Sequence, residues 1–167
     1  IDAVVPADDF PSAAEAGVDK LTFVAAKRAA ALGPWIEQLV AESTGKDGKG
    51  IIPVAGEALG EIGVYDRDRL FVSYQMASER APLPADLAVR LKKKGYPIVR
   101  IGLESEHQLG GQFILWEAAT AIAGYLMEIN PFDEPNVTES KHNTAAILDR
   151  YRESGQFAEI GRASCRE

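Results

Sequence analysis

Four short β-prone runs interleaved with helical segments constrain this chain more than any other feature. The runs are Lys20-Leu-Thr-Phe-Val-Ala25, Gly50-Ile-Ile-Pro-Val-Ala55, Arg69-Leu-Phe-Val-Ser-Tyr74 and Tyr96-Pro-Ile-Val-Arg-Ile-Gly102, all of strand length. After the first, Ala26–Leu32 favours helix by propensity and Gly33-Pro34 restarts the chain, Pro34 being a good first helical residue. Trp35, Ile36, Leu39 and Val40 then form an apolar face that Gly45 terminates. Gly56–Asp68 is a glycine-rich loop. Pro84–Lys94 is an exposed helix whose Lys92, Lys93 and Lys94 suit the negative end of its dipole. Leu109–Ile129 is a buried apolar helix, and Asn136–Ser154 is the last helix. Strands separated by helices predict an α/β fold, a three-layer α/β/α sandwich with a mainly parallel sheet. Pro53 assigns the second strand to an edge or a strand end, because proline cannot donate to a ladder.

The 167 residues suffice for one domain with a sizeable core. A formal charge of -7 excludes a general nucleic-acid or anionic-membrane surface, since both need a basic field. The longest apolar stretch, residues 113–127, is interrupted by Glu117, Thr120 and Gly124, so it reads as a core helix and not a membrane span. The single cysteine, Cys165, forbids an intramolecular disulfide, which fits a reducing, cytoplasmic setting. Residues 1–18 are polar and read as a leader or the end of a preceding linker or helix, and residues 19–159 as the folded domain. Residues 160–167 lack any apolar period and spell what a sequencing-library adaptor encodes when read in frame; they are expected to be a non-native tail.

Two stretches concentrate chemistry. In Asn130-Pro-Phe-Asp-Glu-Pro-Asn-Val-Thr-Glu-Ser-Lys141, Pro131 and Pro135 forbid a continuous helix. Asn136 and Glu139 there form a capping-box-like helix start. Lys141 falls in the second turn of the new helix, near Val137, Thr144 and Leu148 at the margin of its apolar face. A lysine turned inward there needs an anion, whereas a packed stem with its head in water does not. In Ala41-Glu-Ser-Thr-Gly-Lys46, Glu42 lies in the last turn of a helix, where the partial negative charge of the helix end disfavours the ionised carboxylate. A general base working near neutral pH needs a shift in that direction; a surface glutamate before a glycine turn has the same sequence.

Other motifs fail on spacing. Gly45-Lys46 lacks the phosphate-loop pattern, and Gly56, Gly60 and Gly63 do not fit the dinucleotide fingerprint. There is no Gly-x-Ser-x-Gly elbow. His107 and His142 have no Cys or carboxylate partners at metal-ligand spacing, so no metal or cofactor is expected. Glu117, the only charged residue between Gln112 and Met127, is expected to meet a polar partner and to act as a structural anchor.

Taken together, Glu42-Ser-Thr-Gly-Lys46, Leu109-Gly-Gly-Gln-Phe-Ile-Leu-Trp-Glu117 and Asn130-Pro-Phe-Asp-Glu-Pro-Asn-Val137 with Lys141 resemble three ordered motifs of the phosphoglucose isomerase (glucose-6-phosphate isomerase) family. The wording Asp19-Lys-Leu-Thr-Phe23 and Trp35-Ile-Glu-Gln-Leu39 is most similar to the isomerase half of bacterial transaldolase/phosphoglucose isomerase fusions. The resemblance runs from about residue 19 to 151. It implies a C-terminal sugar-isomerase (SIS) domain of an aldose–ketose isomerase that interconverts glucose 6-phosphate and fructose 6-phosphate, homodimeric when intact. It implies Glu42 as the base that moves a proton between C2 and C1 through an enediol(ate), and Lys141 as the residue that assists ring opening and closing. The family histidine expected in the loop Gly56–Asp68 is absent, and Glu134 and Asn136 replace the signature's usual glutamine and glycine. The family's phosphate clamp and its enediolate-stabilising arginine belong to a preceding domain, so this segment alone is expected to have little or no activity. A non-catalytic sugar-phosphate-binding module of the same fold is the alternative.

Overall fold

The computed structural model describes residues 2–3 and 17–157. The expected tail at 160–167 and most of the expected leader lie outside them. Described strands are β1 (Asp2–Ala3), β2 (Lys20–Ala25), β3 (Ile52–Ala55), β4 (Arg69–Met76) and β5 (Ile98–Leu103). Described helices are α1 (Leu32–Thr44), α2 (Ala85–Lys93), α3 (Leu109–Leu126) and α4 (Pro135–Ser154). The chain divides into two compact units, Ile1–Pro131 and Phe132–Glu167.

The first unit carries one sheet in the order β1-β5-β4-β2-β3. The four strands read from the sequence are mutually parallel, and β1 adds an antiparallel pair to β5. Register follows the alternation of side chains. Leu21, Phe23 and Ala25 of β2 face Leu70, Val72 and Tyr74 of β4, which face Val99 and Ile101 of β5 from Val72 and Tyr74. A strand sends every second side chain to one face, so these residues build one core. Ile36 and Val40 of α1 and Trp116 of α3 complete it. The intervening residues Val24, Phe71 and Ile98 point the other way and are covered by Leu87, Ala88 and Leu91 of α2 and by Ile62 and Tyr65. Helices therefore cover both faces, and the fold is an α/β sandwich as the sequence predicts. β3 is at the sheet edge, where Pro53 is tolerated.

Several local expectations are corrected. The helix expected at Ala26–Leu32 is a 3-10 turn, Lys27–Ala29, followed directly by α1. Pro34 therefore sits inside the first turn of α1, where its missing N–H breaks no intrahelical bond. Gly45 is the C-cap, as expected, its N–H donating to the Ala41 carbonyl. α4 begins one residue early, with Glu134 as N-cap and Pro135 at the first helical position, because the fixed φ of proline suits that site.

α3 departs most from expectation. It is apolar, yet only one side meets the sheet: Thr120 and Gly124 are buried, while Ile114, Ile122, Leu126 and Tyr125 (81% exposed) face outward. Glu117 is exposed on the same helix and so needs no buried partner. The helix ends at Met127, and Glu128 takes a left-handed φ of 56°. Gly124 allows Pro131 to fold back over that end, since a Cβ there would lie 2.7 Å from the proline Cγ. Among the described residues no helix is long and apolar enough to cross a membrane.

Candidate active site

In a parallel α/β unit each helix runs back from the C-terminal edge of the sheet to its N-terminal edge. The end of α1, carrying Glu42, and the end of α3, carrying the Asn130 turn, therefore reach the same edge. The turn after α1 is tightly specified. Thr44 is fully buried, donates its hydroxyl to the Val40 carbonyl at 2.7 Å and accepts the Ile51 N–H at 2.9 Å. Asp47 and Gly48 both have positive φ, 54° and 72°, and Lys49 N–H closes the turn on the Lys46 carbonyl at 2.9 Å. Asp-Gly is the pair that tolerates two left-handed residues in succession.

Two lysines of this turn dock on the end of α3. The Lys46 ammonium, on a side chain only 6% exposed, donates to the Asn130 carbonyl at 2.7 Å, and Lys49 donates to the Met127 carbonyl at 2.6 Å. Both cations meet carbonyls at or just beyond a helix C-terminus, where unsatisfied acceptors and the negative dipole end favour them. Two of the motifs singled out in the sequence are thus joined across 84 residues of chain. The sequence marks Gly45 as a helix stop and Glu42-Ser-Thr-Gly-Lys46 as a motif, but not this anchoring role of Lys46. The remaining signal was a lysine immediately after a helix-stopping glycine, and it names no partner. Replacing Lys46 by Met, which keeps the stem and removes the cation, is expected to cost about 1.5–3 kcal/mol, the range for a hydrogen bond to a charged group. Urea unfolding of the chain measures it.

Glu42 is exposed in the last turn of α1, and the Gln38 side chain one turn earlier donates to its Oε1 at 3.2 Å. It is accessible to solvent and held by a neighbour at the end of the helix. On the same edge of the sheet, Lys20 pairs with Asp19 at 2.8 Å and Asp68 at 2.7 Å. The hydrogen bond from Lys20 holds the Asp68 carboxyl below its ordinary value, and the two carboxylates raise the Lys20 ammonium. A depressed carboxyl loses its contribution as pH falls through its folded value, and a raised ammonium loses its contribution as pH rises through its folded value, so this cluster weakens at both extremes of pH.

Lys141 lies in the second turn of α4, in the second compact unit, and is exposed, as a head in water from the margin of the apolar face would be. Glu42 and Lys141 thus belong to separate units. His107 lies in the 3-10 turn Glu106–Gln108 and His142 on α4. Among the described residues no group of three His, Cys, Asp or Glu side chains is placed to hold a metal ion.

Behind α1 the core contains a polar chain that sequence reasoning also missed. The Trp116 indole donates to the Tyr74 hydroxyl, which donates to Gln112 Oε1 at 3.1 Å. Burial pushes the Tyr74 phenol up to about 12, although the indole donor lowers it. It remains a neutral donor and fixes α3 to β4. At the opposite, C-terminal edge, a crevice of about 900 Å³ is bordered by Lys27, Arg28, Glu79 and Arg80. Arg28 there is tied to Glu79 at 3.5 Å and Glu106 at 3.2 Å.

No protein-family profile matches the chain. Curated relatives do. The glucose-6-phosphate isomerase of Symbiobacterium thermophilum is 32% identical, covering 78% of this chain and 37% of that enzyme. Those of Lacticaseibacillus casei and Lactobacillus helveticus are 30% and 27% identical, each over 71% of this chain and about 35% of the relative. The chain spans about a third of the length of the curated relatives it matches. Over that shared segment the chain is similar to glucose-6-phosphate isomerases.

Proposed function

We propose that this segment is the C-terminal SIS part of a glucose-6-phosphate isomerase, supplying the base and the ring-opening lysine for interconversion of glucose 6-phosphate and fructose 6-phosphate. The observation that carries the reading is Glu42, exposed on a helix end whose following turn is locked by Thr44 and by the Lys46 contact to Asn130. A hydrogen next to a carbonyl is too weakly acidic for water to remove quickly, so isomerisation needs a positioned carboxylate. Glu42 takes the proton from C2 of the open-chain aldose, the electrons move to the C1 carbonyl oxygen as an enediol(ate), a proton passes from the C2 hydroxyl to that oxygen, and Glu42 returns its proton at C1 as C2 becomes the carbonyl. Lys141 assists opening and closing of the sugar ring beforehand and afterwards. The enzyme works in glycolysis and gluconeogenesis in the cytoplasm. It is a homodimer when intact and resembles the isomerase half of transaldolase fusions. The outward apolar residues of α3 support a further cover, from a second subunit or from the rest of the enzyme.

Lys141→Met in the intact enzyme tests the division of labour. Turnover of the cyclic sugar phosphate is expected to fall, while an analogue unable to close its ring is isomerised at nearly the parent rate. Equal losses on both contradict a ring-opening role. The 167-residue chain by itself, assayed with glucose 6-phosphate, is expected to show little or no turnover.

A further inference from the structure

We propose that the space between α3 and the sheet is a binding site for a small, neutral, mostly apolar molecule carrying one hydrogen-bonding group. The cavity has a volume of about 350 Å³, at the lower end of ligand pockets, which run roughly from 300 to 1,000 Å³. Leu21, Val72 and Ile101 form its floor, and Trp116, Thr120 and Ala123 of α3 its roof. These walls are aliphatic and aromatic, and such a space does not hold water well.

Two hydroxyl groups border the cavity, and they differ. Thr44 is satisfied as donor and acceptor. Thr120 is 5% exposed, and its Oγ1 has no hydrogen-bond partner. A helical threonine ordinarily bonds the carbonyl one turn back, and a buried hydroxyl left unpaired is unfavourable. A ligand oxygen placed at Thr120 removes that penalty. The charges at the mouth do not select an ion, because Lys20 already holds both Asp19 and Asp68. The Trp116 wall suits a flat ring, so the ligand class is a neutral, ring-sized molecule with a hydroxyl or carbonyl. Thr44 lines the cavity and also ties the turn that follows Glu42, so an occupant touches the element that carries the candidate base. The site itself does not depend on the isomerase reading.

Benzyl alcohol and toluene, titrated separately into the whole chain and followed by backbone amide NMR, test the site without any activity assay. Saturable shifts at Thr120, Trp116 and Thr44 are expected with benzyl alcohol. Thr120→Val, which removes the hydroxyl and keeps the shape, is expected to lower the ratio of benzyl alcohol to toluene affinity by about three- to tenfold, the worth of one hydrogen bond. Ala123→Leu, which fills the cavity, is expected to abolish binding of both probes; Val99→Leu serves if that variant does not fold. Absence of saturable shifts in the parent chain, shifts confined to other residues, or unchanged binding in a folded cavity-filling variant overturns the proposal.

Discussion

Replacing Glu42 by Gln in the intact enzyme that contains this segment is expected to lower isomerase turnover by about 10²–10⁴-fold, the contribution of a positioned general base. Affinity for the sugar phosphate is expected to stay nearly unchanged. The side chain is exposed at the end of α1 and makes its described contact only with Gln38. The amide therefore replaces the carboxylate without disturbing the buried turn behind it, where Thr44 and Lys46 carry the structure. Gln keeps the size and a hydrogen-bonding capacity but cannot take a proton. Loss in kcat without loss in binding identifies an interaction made in the transition state. Equal loss of binding and turnover identifies instead a sugar-phosphate-binding module, which needs no base at that helix end. Single-turnover kinetics with a parallel equilibrium titration separate the two.

Phe71→Ala is expected to destabilise the first compact unit by about 3–5 kcal/mol, the usual range for truncating a core aromatic residue. Phe71 is 0% exposed in the middle of β4 and on the face opposite α1. Its ring meets Tyr65 edge-on at 5.3 Å and Tyr96 edge-on at 5.8 Å. Tyr96 in turn donates to the Tyr65 carbonyl at 2.6 Å, so one side chain supports both the segment before β4 and the approach to β5. The loss is read from the urea midpoint with an unchanged m-value. A loss below about 1 kcal/mol, the level of a surface change, means that this second layer is not packed as described.

The sheet was legible in the sequence because strand formation here follows local composition. β2 spans the residues Lys20–Ala25 that the β-prone run marks, and Pro53 locates the edge strand. β4 and β5 run past their expected ends to Met76 and Leu103, where the two strands continue to pair. The direction of burial on α3 was not legible. Nearly every position on that helix is apolar, so no face is marked for the sheet, and only tertiary packing decides that Thr120 faces in while Tyr125 faces out. The candidate site was legible in its residue types and illegible in its construction. Glu42 at a helix end can be read from Gly45 nearby. The docking of Lys46 and Lys49 on Asn130 and Met127 joins distant segments through backbone carbonyls, which any residue could provide. The Tyr74–Gln112–Trp116 chain is hidden for the same reason of distance.

Hydrogen exchange between solvent and substrate during isomerisation tests the role of Glu42 most directly. In heavy water the intact parent enzyme is expected to place deuterium at C2 of glucose 6-phosphate as it equilibrates with fructose 6-phosphate, observed as loss of the C2 proton resonance. Glu42→Gln is expected to leave that resonance intact under saturating substrate, with the bound complex still formed. Exchange at the parent rate in Glu42→Gln contradicts the assignment and places the base elsewhere.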